Sequence, residues 1–265
     1  MTQIKDKVVW ITGASAGIGK ATAEQMALKG ARLVLSARRK DKLEELKSSL
    51  ALSEEDVLVL PMDMKDLSSF ESAYDTVKRK FGKVDILFNN AGISQRGSVI
   101  ESTDQVYHEL MDVNYWAPVK LTKIVLSDMI AAKSGHFMVT SSLSGKFGSP
   151  MRSGYCASKH ALHGFYDSLR TEVFKYNIKV TIICPGYINT DISKNALAPD
   201  GQKHGKMDTN QEQGLSVQKC ASQIVKAVEK NKTEVYMGGK EVFGVYLKRF
   251  LPSVLEKILI GQAPK

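Results

Sequence analysis

Seven short apolar runs recur along the chain, separated by longer stretches whose apolar residues keep a helical period. The runs are KVVWIT (7–12), ARLVLS (31–36), DVLVLP (56–61), VDILFN (84–89), HFMVTS (136–141), KVTIIC (179–184) and TEVYM (233–237). Near-continuous apolarity suits parallel strands covered on both faces, since a strand with one wet face alternates. Helical periods are readable at 18–29, 41–50, 66–81, 104–130, 155–176 and 216–230. Strand and helix in alternation, joined by right-handed crossovers, predict an α/β fold with a doubly wound seven-stranded parallel sheet and helices on both faces.

The 265 residues suit a single domain, and neither a composition break nor an internal repeat divides them. With 43% hydrophobic and 25% charged residues, the chain can bury a core without disulfides or metals. Net charge is +9, but the basic residues are scattered and alternate with acids, as in RRKDKLEELK (38–47). No RNP, zinc-finger or long arginine-rich segment accompanies them, so nucleic acid is not expected as a partner. Cys156, Cys184 and Cys220 are odd in number and show no CxxC spacing. A disulfide framework and a metal site are therefore not expected, and a reducing compartment is. MTQIKDKVVWITG enters the first strand without a signal-peptide core, and no apolar stretch reaches the roughly 20 residues that span a bilayer. A cytoplasmic protein is expected.

TGASAGIG (12–19) follows the first strand and opens the first helix, with Gly13, Gly17 and Gly19 spaced GxxxGxG. Such a turn lets a backbone approach a pyrophosphate and aims a helix N-terminus at its charge, as in a Rossmann-type sheet. An acid at the end of the second strand would bind a ribose 2′-hydroxyl and repel a 2′-phosphate. LVLSARRK has Ala37 there instead, followed by Arg38 and Arg39. A guanidinium grips a phosphate by charge-assisted bidentate contact, so NADP(H) is the expected cofactor, with Arg38 foremost and Ser15 or Arg39 assisting. Asp63, after the third strand, reads either as an acceptor for the adenine amino group or as a helix N-terminal acid. NNAG (89–92), with Asn90, Ala91 and Gly92, ends the fourth strand as a close cofactor approach or an ordinary turn.

Tyr155 and Lys159 stand four apart in SGYCASKHALHGF (153–165), on one face if the stretch is helical. Alone, the spacing fits a proton donor with its tuner or two surface residues equally well. TGASAGIG, NNAG, VNYWAP, SSLSG, YCASK and PGYINT occur in that order, and together they resemble the short-chain dehydrogenase/reductase family of compact one-domain type, from about residue 5 to residue 235. DISKNALAPDGQKHGKMD and FGVYLKRFLPSVL are similar to its dehydrogenase/reductase member 7 and 7B branch. The resemblance implies that Tyr155 protonates a carbonyl oxygen and that Lys159 lowers the pKa of the phenol and holds the nicotinamide ribose. It implies that Ser142, thirteen positions before Tyr155, orients the substrate oxygen in preference to Ser141, and that Asn114 anchors a water. It further places Ile18 in the dinucleotide turn and Pro185, Gly186, Ile188 and Thr190 beside the nicotinamide. His160 and His163 are then ordinary helix residues, and Cys156 a packing residue.

The expected activity is reversible hydride transfer between NADP(H) and a carbonyl or alcohol, mainly as reduction of a lipophilic ketone or aldehyde, with no metal. A ketoacyl reductase on a carrier-bound substrate, an epimerase or dehydratase, and a non-catalytic dinucleotide sensor are the competing readings. The catalytic domain is expected over 1–239, including a substrate lid at 190–215 that is polar and broken by Pro199, Gly201 and Gly205. The segment 240–265 is expected as an amphipathic extension of two short helices split at Pro252, in peripheral contact with a membrane or packed on protein. The family likeness also implies a homodimer or homotetramer.

Overall fold

The computed structural model of the chain describes residues 1–263, so the last two positions of the expected 240–265 extension lie outside the described residues. The strands are β1 (Val8–Thr12), β2 (Arg32–Ser36), β3 (Val57–Val59), β4 (Ile86–Asn89), β5 (Gly135–Thr140), β6 (Ile178–Pro185) and β7 (Glu234–Met237). They form one sheet in the order β3-β2-β1-β4-β5-β6-β7, and every neighbouring pair is parallel. The chain winds outward through β2 and β3, returns to the centre at β4, and winds outward again on the other side. Crossovers therefore diverge at the carboxyl ends of β1 and β4, which opens a crevice there.

Helices cover both faces. α1 (Gly17–Leu28), α2 (Lys40–Ser49) and α8 (Val217–Glu229) lie on one, and α3 (Phe70–Phe81), α5 (Ala117–Ala132) and α6 (Ser153–Val173) on the other. The two-residue period of β1 divides it between the layers: Val9 and Ile11 join Met26, Leu43 and Ile224, while Val8 and Trp10 join Phe70, Leu121 and Tyr166. Most polar groups inside these layers are partnered, the exceptions among the described residues being Thr22 Oγ1 and His163 Nδ1. Trp10 Nε1 donates to Ser36 Oγ at 2.9 Å, and Asn89 Nδ2 to the hydroxyls of Thr122 and Tyr166 at 3.0 Å each.

The helix expected at 104–130 is not uniform. It runs as α4 (Asp104–Met111), a π-helical turn over Asp112–Trp116, and α5. Such a turn inserts a residue into the ladder and rotates the helix beyond it, and Asn114 sits inside the turn. The polar segment after β6 is ordered rather than loose. Isolated bridges Gln95–Leu197 and Ile188–Leu215 tie it down, Ser193 and Ala196 are fully buried, and it carries the one-turn helix α7 (Thr209–Glu212). The extension forms α9 (Phe243–Phe250) and α10 (Pro252–Ile260), split at Pro252. Leu255 is buried in the larger core cluster with Phe147, so the extension packs on the domain that precedes it. No described helix is long and apolar enough to cross a membrane.

Candidate active site

A cleft of about 1040 Å³ opens at the carboxyl ends of the strands. At one end, Gly13 follows β1 with φ +68°, and a Cβ there would lie 2.9 Å from Ala91 Cα. The first turn and NNAG therefore meet backbone to backbone, as only glycine permits. Thr12 Oγ fastens them, accepting the N–H groups of Asn90 and Ala91 at 3.0 and 3.1 Å, and Thr140 Oγ donates to Asn90 Oδ1 at 3.1 Å. α1 starts with no side-chain cap and no acid in its first turn, so its N–H groups face the cleft ready for an anion. Ser15, Gly17 and Ile18 line that end, whereas Gly19 does not: it packs under the Gly13 carbonyl, where a methyl would collide. These contacts fit a pyrophosphate.

Ala37, Arg38, Arg39 and Asp63 continue the wall. Arg39 Nη2 donates to Ser15 Oγ at 3.1 Å, leaving two guanidiniums and no carboxylate at the end of β2. Asp63 is exposed and accepts the Lys65 N–H at 3.0 Å within a turn; the next helical residue is Leu67, so Asp63 is not the N-terminal acid of a helix.

The other end of the cleft holds Ser142, Tyr155 and Lys159, together with Pro185, Gly186, Ile188 and Thr190. Ser142 Oγ donates to the Pro185 carbonyl at 3.3 Å and accepts Ser144 N–H at 3.1 Å. Its rival Ser141 is occupied elsewhere, donating to the Lys159 carbonyl at 3.1 Å and lying 3.0 Å from His163 Nε2. Lys159 Nζ donates to the Thr140 carbonyl at 2.8 Å and stands 5.8 Å from the centre of the Tyr155 ring. Asn114 lies behind the cleft wall. Its Oδ1 accepts Ile93 N–H at 2.9 Å, and its Nδ2 donates to the Ile93 carbonyl and to Ser158 Oγ at 3.0 Å each. One lone pair on Oδ1 is what remains for the water that the family likeness implies.

The electrostatics differ from the sequence expectation. Burial raises the pKa of Tyr155, while the Ser142 hydroxyl and the Arg152 and Arg96 guanidiniums pull it back only in part. Burial also pushes Lys159 down to about 8. The expected lowering of the phenol by a neighbouring ammonium is thus corrected: desolvation penalises both charged forms and wins. The phenol rests as a neutral donor.

His163 is also corrected, since it is no ordinary helix residue. It is buried, and with Cys184 and Glu234 it places donor atoms within 4.8 Å of one another. Lys146 Nζ pairs with Glu234 at 2.9 Å and balances that carboxylate, and Cys184 Sγ lies 3.7 Å from both His163 Nε2 and Glu234, while His163 Nδ1 is buried without a partner. Burial raises the Cys156 thiol, as befits a packing residue.

Several groups at the site had no motif to announce them. Gln95 Oε1 accepts the N–H of Gly154 at 2.9 Å and of Tyr155 at 3.3 Å, capping the helix that carries Tyr155. Asp208, in the segment expected as a lid, accepts from Arg96 Nε at 2.9 Å and from Arg152 Nη2 at 3.0 Å, fastening that segment to the cleft rim. Glu241 accepts Tyr187 N–H at 3.0 Å and packs against Gly186, tying the extension to the turn after β6. These partners come from segments far apart in the chain, where spacing carries no signal.

A glycine turn at a switch point and a Ser-Tyr-Lys set beyond it define a dinucleotide-dependent oxidoreductase of the doubly wound α/β class. Residues 7–200 match the family model described as short chain dehydrogenase. The chain is 44% identical over 268 residues to Dehydrogenase/reductase SDR family protein 7-like of Anopheles gambiae, covering 99% of this chain and 84% of that one. It is 39% identical to family member 7B of Bos taurus (99% and 83% covered) and 39% identical to member 7 of Homo sapiens (95% and 76%). Among solved structures, a Burkholderia phymatum short chain dehydrogenase/reductase in complex with NAD superposes with TM-score 0.85 at 22% identity, covering 96% of both chains. An alcohol dehydrogenase of Thermococcus sibiricus complexed with 5-hydroxy-NADP gives 0.75 at 26% identity, covering 89% of this chain and 97% of that one. The chain belongs to the short-chain dehydrogenase/reductase family, in its member 7 and 7B branch.

Proposed function

We propose that the protein is an NADP(H)-dependent reductase of lipophilic ketones or aldehydes. The observation that carries this reading is a single cleft with an arginine pair and an open helix start at one end and the Ser142 and Tyr155 side chains at the other. Arg38 and Arg39 supply two cations for a 2′-phosphate, with no carboxylate at Ala37 to oppose it. A dihydronicotinamide, when bound, would supply the hydride. Ser142 orients the carbonyl oxygen, and Tyr155 gives that oxygen its proton as the carbon is reduced. Lys159, charged below about 8, holds the ribose and steadies the phenolate left behind. Phe147, Phe243, Leu247, Leu255 and Leu259 wall the cleft, which favours an apolar body on the substrate.

The test is a panel of ketones and aldehydes with NADPH and NADH, run on wild type and Tyr155→Phe. NADPH-dependent reduction lost by at least about 100-fold in Tyr155→Phe is the expected result. Activity retained in Tyr155→Phe overturns the role of the tyrosine, and preference for NADH overturns that of the arginines.

A further inference from the structure

The outer faces of α9 and α10 carry the densest set of exposed large apolar side chains among the described residues. On α9, Phe243, Tyr246 and Phe250 follow one another at spacings of three and four, with 68%, 51% and 74% of their surface exposed. Leu251 at the joint and Val254 and Ile258 on α10 continue the exposed set. Spacings of three and four keep side chains on one helix face, so Phe243, Tyr246 and Phe250 form one exposed stripe along α9, with Leu247 at its inner edge packed toward the core, where Leu255 and Leu259 also lie. Exposed Lys240, Lys248, Arg249 and Lys257 flank the stripe. Of the two acids in these helices and the turn before them, Glu241 is bonded to Tyr187 N–H, which leaves only Glu256 exposed.

We infer that the α9–α10 face docks on an anionic lipid bilayer, with its apolar stripe at the acyl boundary and its cations among the headgroups. A second copy of the chain is the poorer occupant. A two-fold contact sets a patch against itself, so four cations would face the same four with a single carboxylate per chain to answer them. A negatively charged surface answers them all, and the acyl boundary accepts the aromatic stripe. Phe243 and Ile258 belong both to this face and to the cleft wall, as Leu247 and Leu255 do from within. The cleft therefore opens at the docked face, and an apolar substrate dissolved in the bilayer reaches Tyr155 without crossing water. That route, unlike the docking, rests on the reductase reading.

Co-sedimentation with phosphatidylcholine vesicles, with and without 30% phosphatidylglycerol, tests the docking; the variants are Phe250→Ser/Leu251→Ser and Lys248→Glu/Arg249→Glu. None of these four positions lines the cleft. Wild type should pellet with the anionic vesicles, and each variant should lose at least about tenfold in partition, the charge-reversed one most steeply at low salt. NADPH binding and melting temperature should be unchanged, which separates failure of docking from failure of the fold or of the reductase reading. Equal pelleting by wild type and both variants overturns the inference. So does a wild-type dimer that Phe250→Ser/Leu251→Ser converts to monomer while no form binds vesicles, since the face would then belong to a second copy.

Discussion

Gln95 Oε1 accepts the backbone N–H of Tyr155 at 3.3 Å, and that of Gly154 at 2.9 Å, across sixty residues of sequence. The first N–H groups of a helix have no partner within it, and here a fully buried side chain supplies one. Its own Nε2 is held by Ser102 Oγ at 3.0 Å. The start of α6, and with it the place of the phenol, is fixed from the loop after β4.

Gln95→Leu should therefore lower kcat by roughly tenfold, leaving the dissociation constant for NADPH within about twofold. Steady-state kinetics beside cofactor titration by fluorescence reads the split. A fall in both together would mean that Gln95 supports only the fold.

Lys159 sets a limb in the pH profile. Burial lowers it to about 8, so its ammonium is present below that pH and lost above it. Reduction should decline as pH rises through about 8, while Tyr155, raised by burial, keeps its proton. A guanidinium does not titrate in this range, so Lys159→Arg should be slower but lack that limb. An unchanged limb in Lys159→Arg would assign it to another group.

Cofactor choice should turn on one position. Ala37→Asp places a carboxylate at the end of β2, beside the ribose and against a 2′-phosphate. Preference for NADPH over NADH should fall by roughly 10- to 100-fold, the worth of a charge-assisted contact. The ratio of kcat/KM for the two cofactors measures it.

Acid should unfold the protein through its buried histidines. His136 is held between Thr2 and Thr181, and burial lowers it to about 3; burial likewise lowers His163 to about 4. Both are neutral in the fold, whereas in the unfolded chain they take up protons near 6.5. Their contribution is complete above pH 6.5 and is lost as pH falls toward 4 and 3. At pH 5 each costs roughly 2 kcal/mol of stability relative to pH 7. Melting temperature should drop over that interval, and His136→Gln, though less stable at pH 7, should show the shallower slope.

All seven strands were legible because each is a continuous apolar run, and parallel burial on both faces leaves that signature. β3 shrank to Val57–Val59 because pairing on one side only, at the sheet edge, holds fewer residues in register. Interval chose Ser142 over Ser141, and the fold sets their hydroxyls in different surroundings: Ser141 lies against the Lys159 carbonyl and His163, Ser142 against the Pro185 carbonyl. The π turn at Asn114 left no mark, since its residues keep a helical composition. The segment expected as a lid showed its polarity and its breaks in the sequence but not its anchors, because Arg96 and Asp208 stand 112 residues apart.

The sequence by itself determined what repeats or lies close along the chain: the strand–helix alternation, the glycine turn, Ala37 before Arg38 and Arg39, and Tyr155 one turn from Lys159. Such features arise from backbone sterics and side-chain period over a few residues. The tertiary structure alone decided the protonation of Tyr155 and Lys159, the cap from Gln95, the latch on Asp208 and the place of α9 and α10 at the cleft mouth. Desolvation depends on every atom around a group, and partners sixty or more residues apart meet only once the sheet has formed.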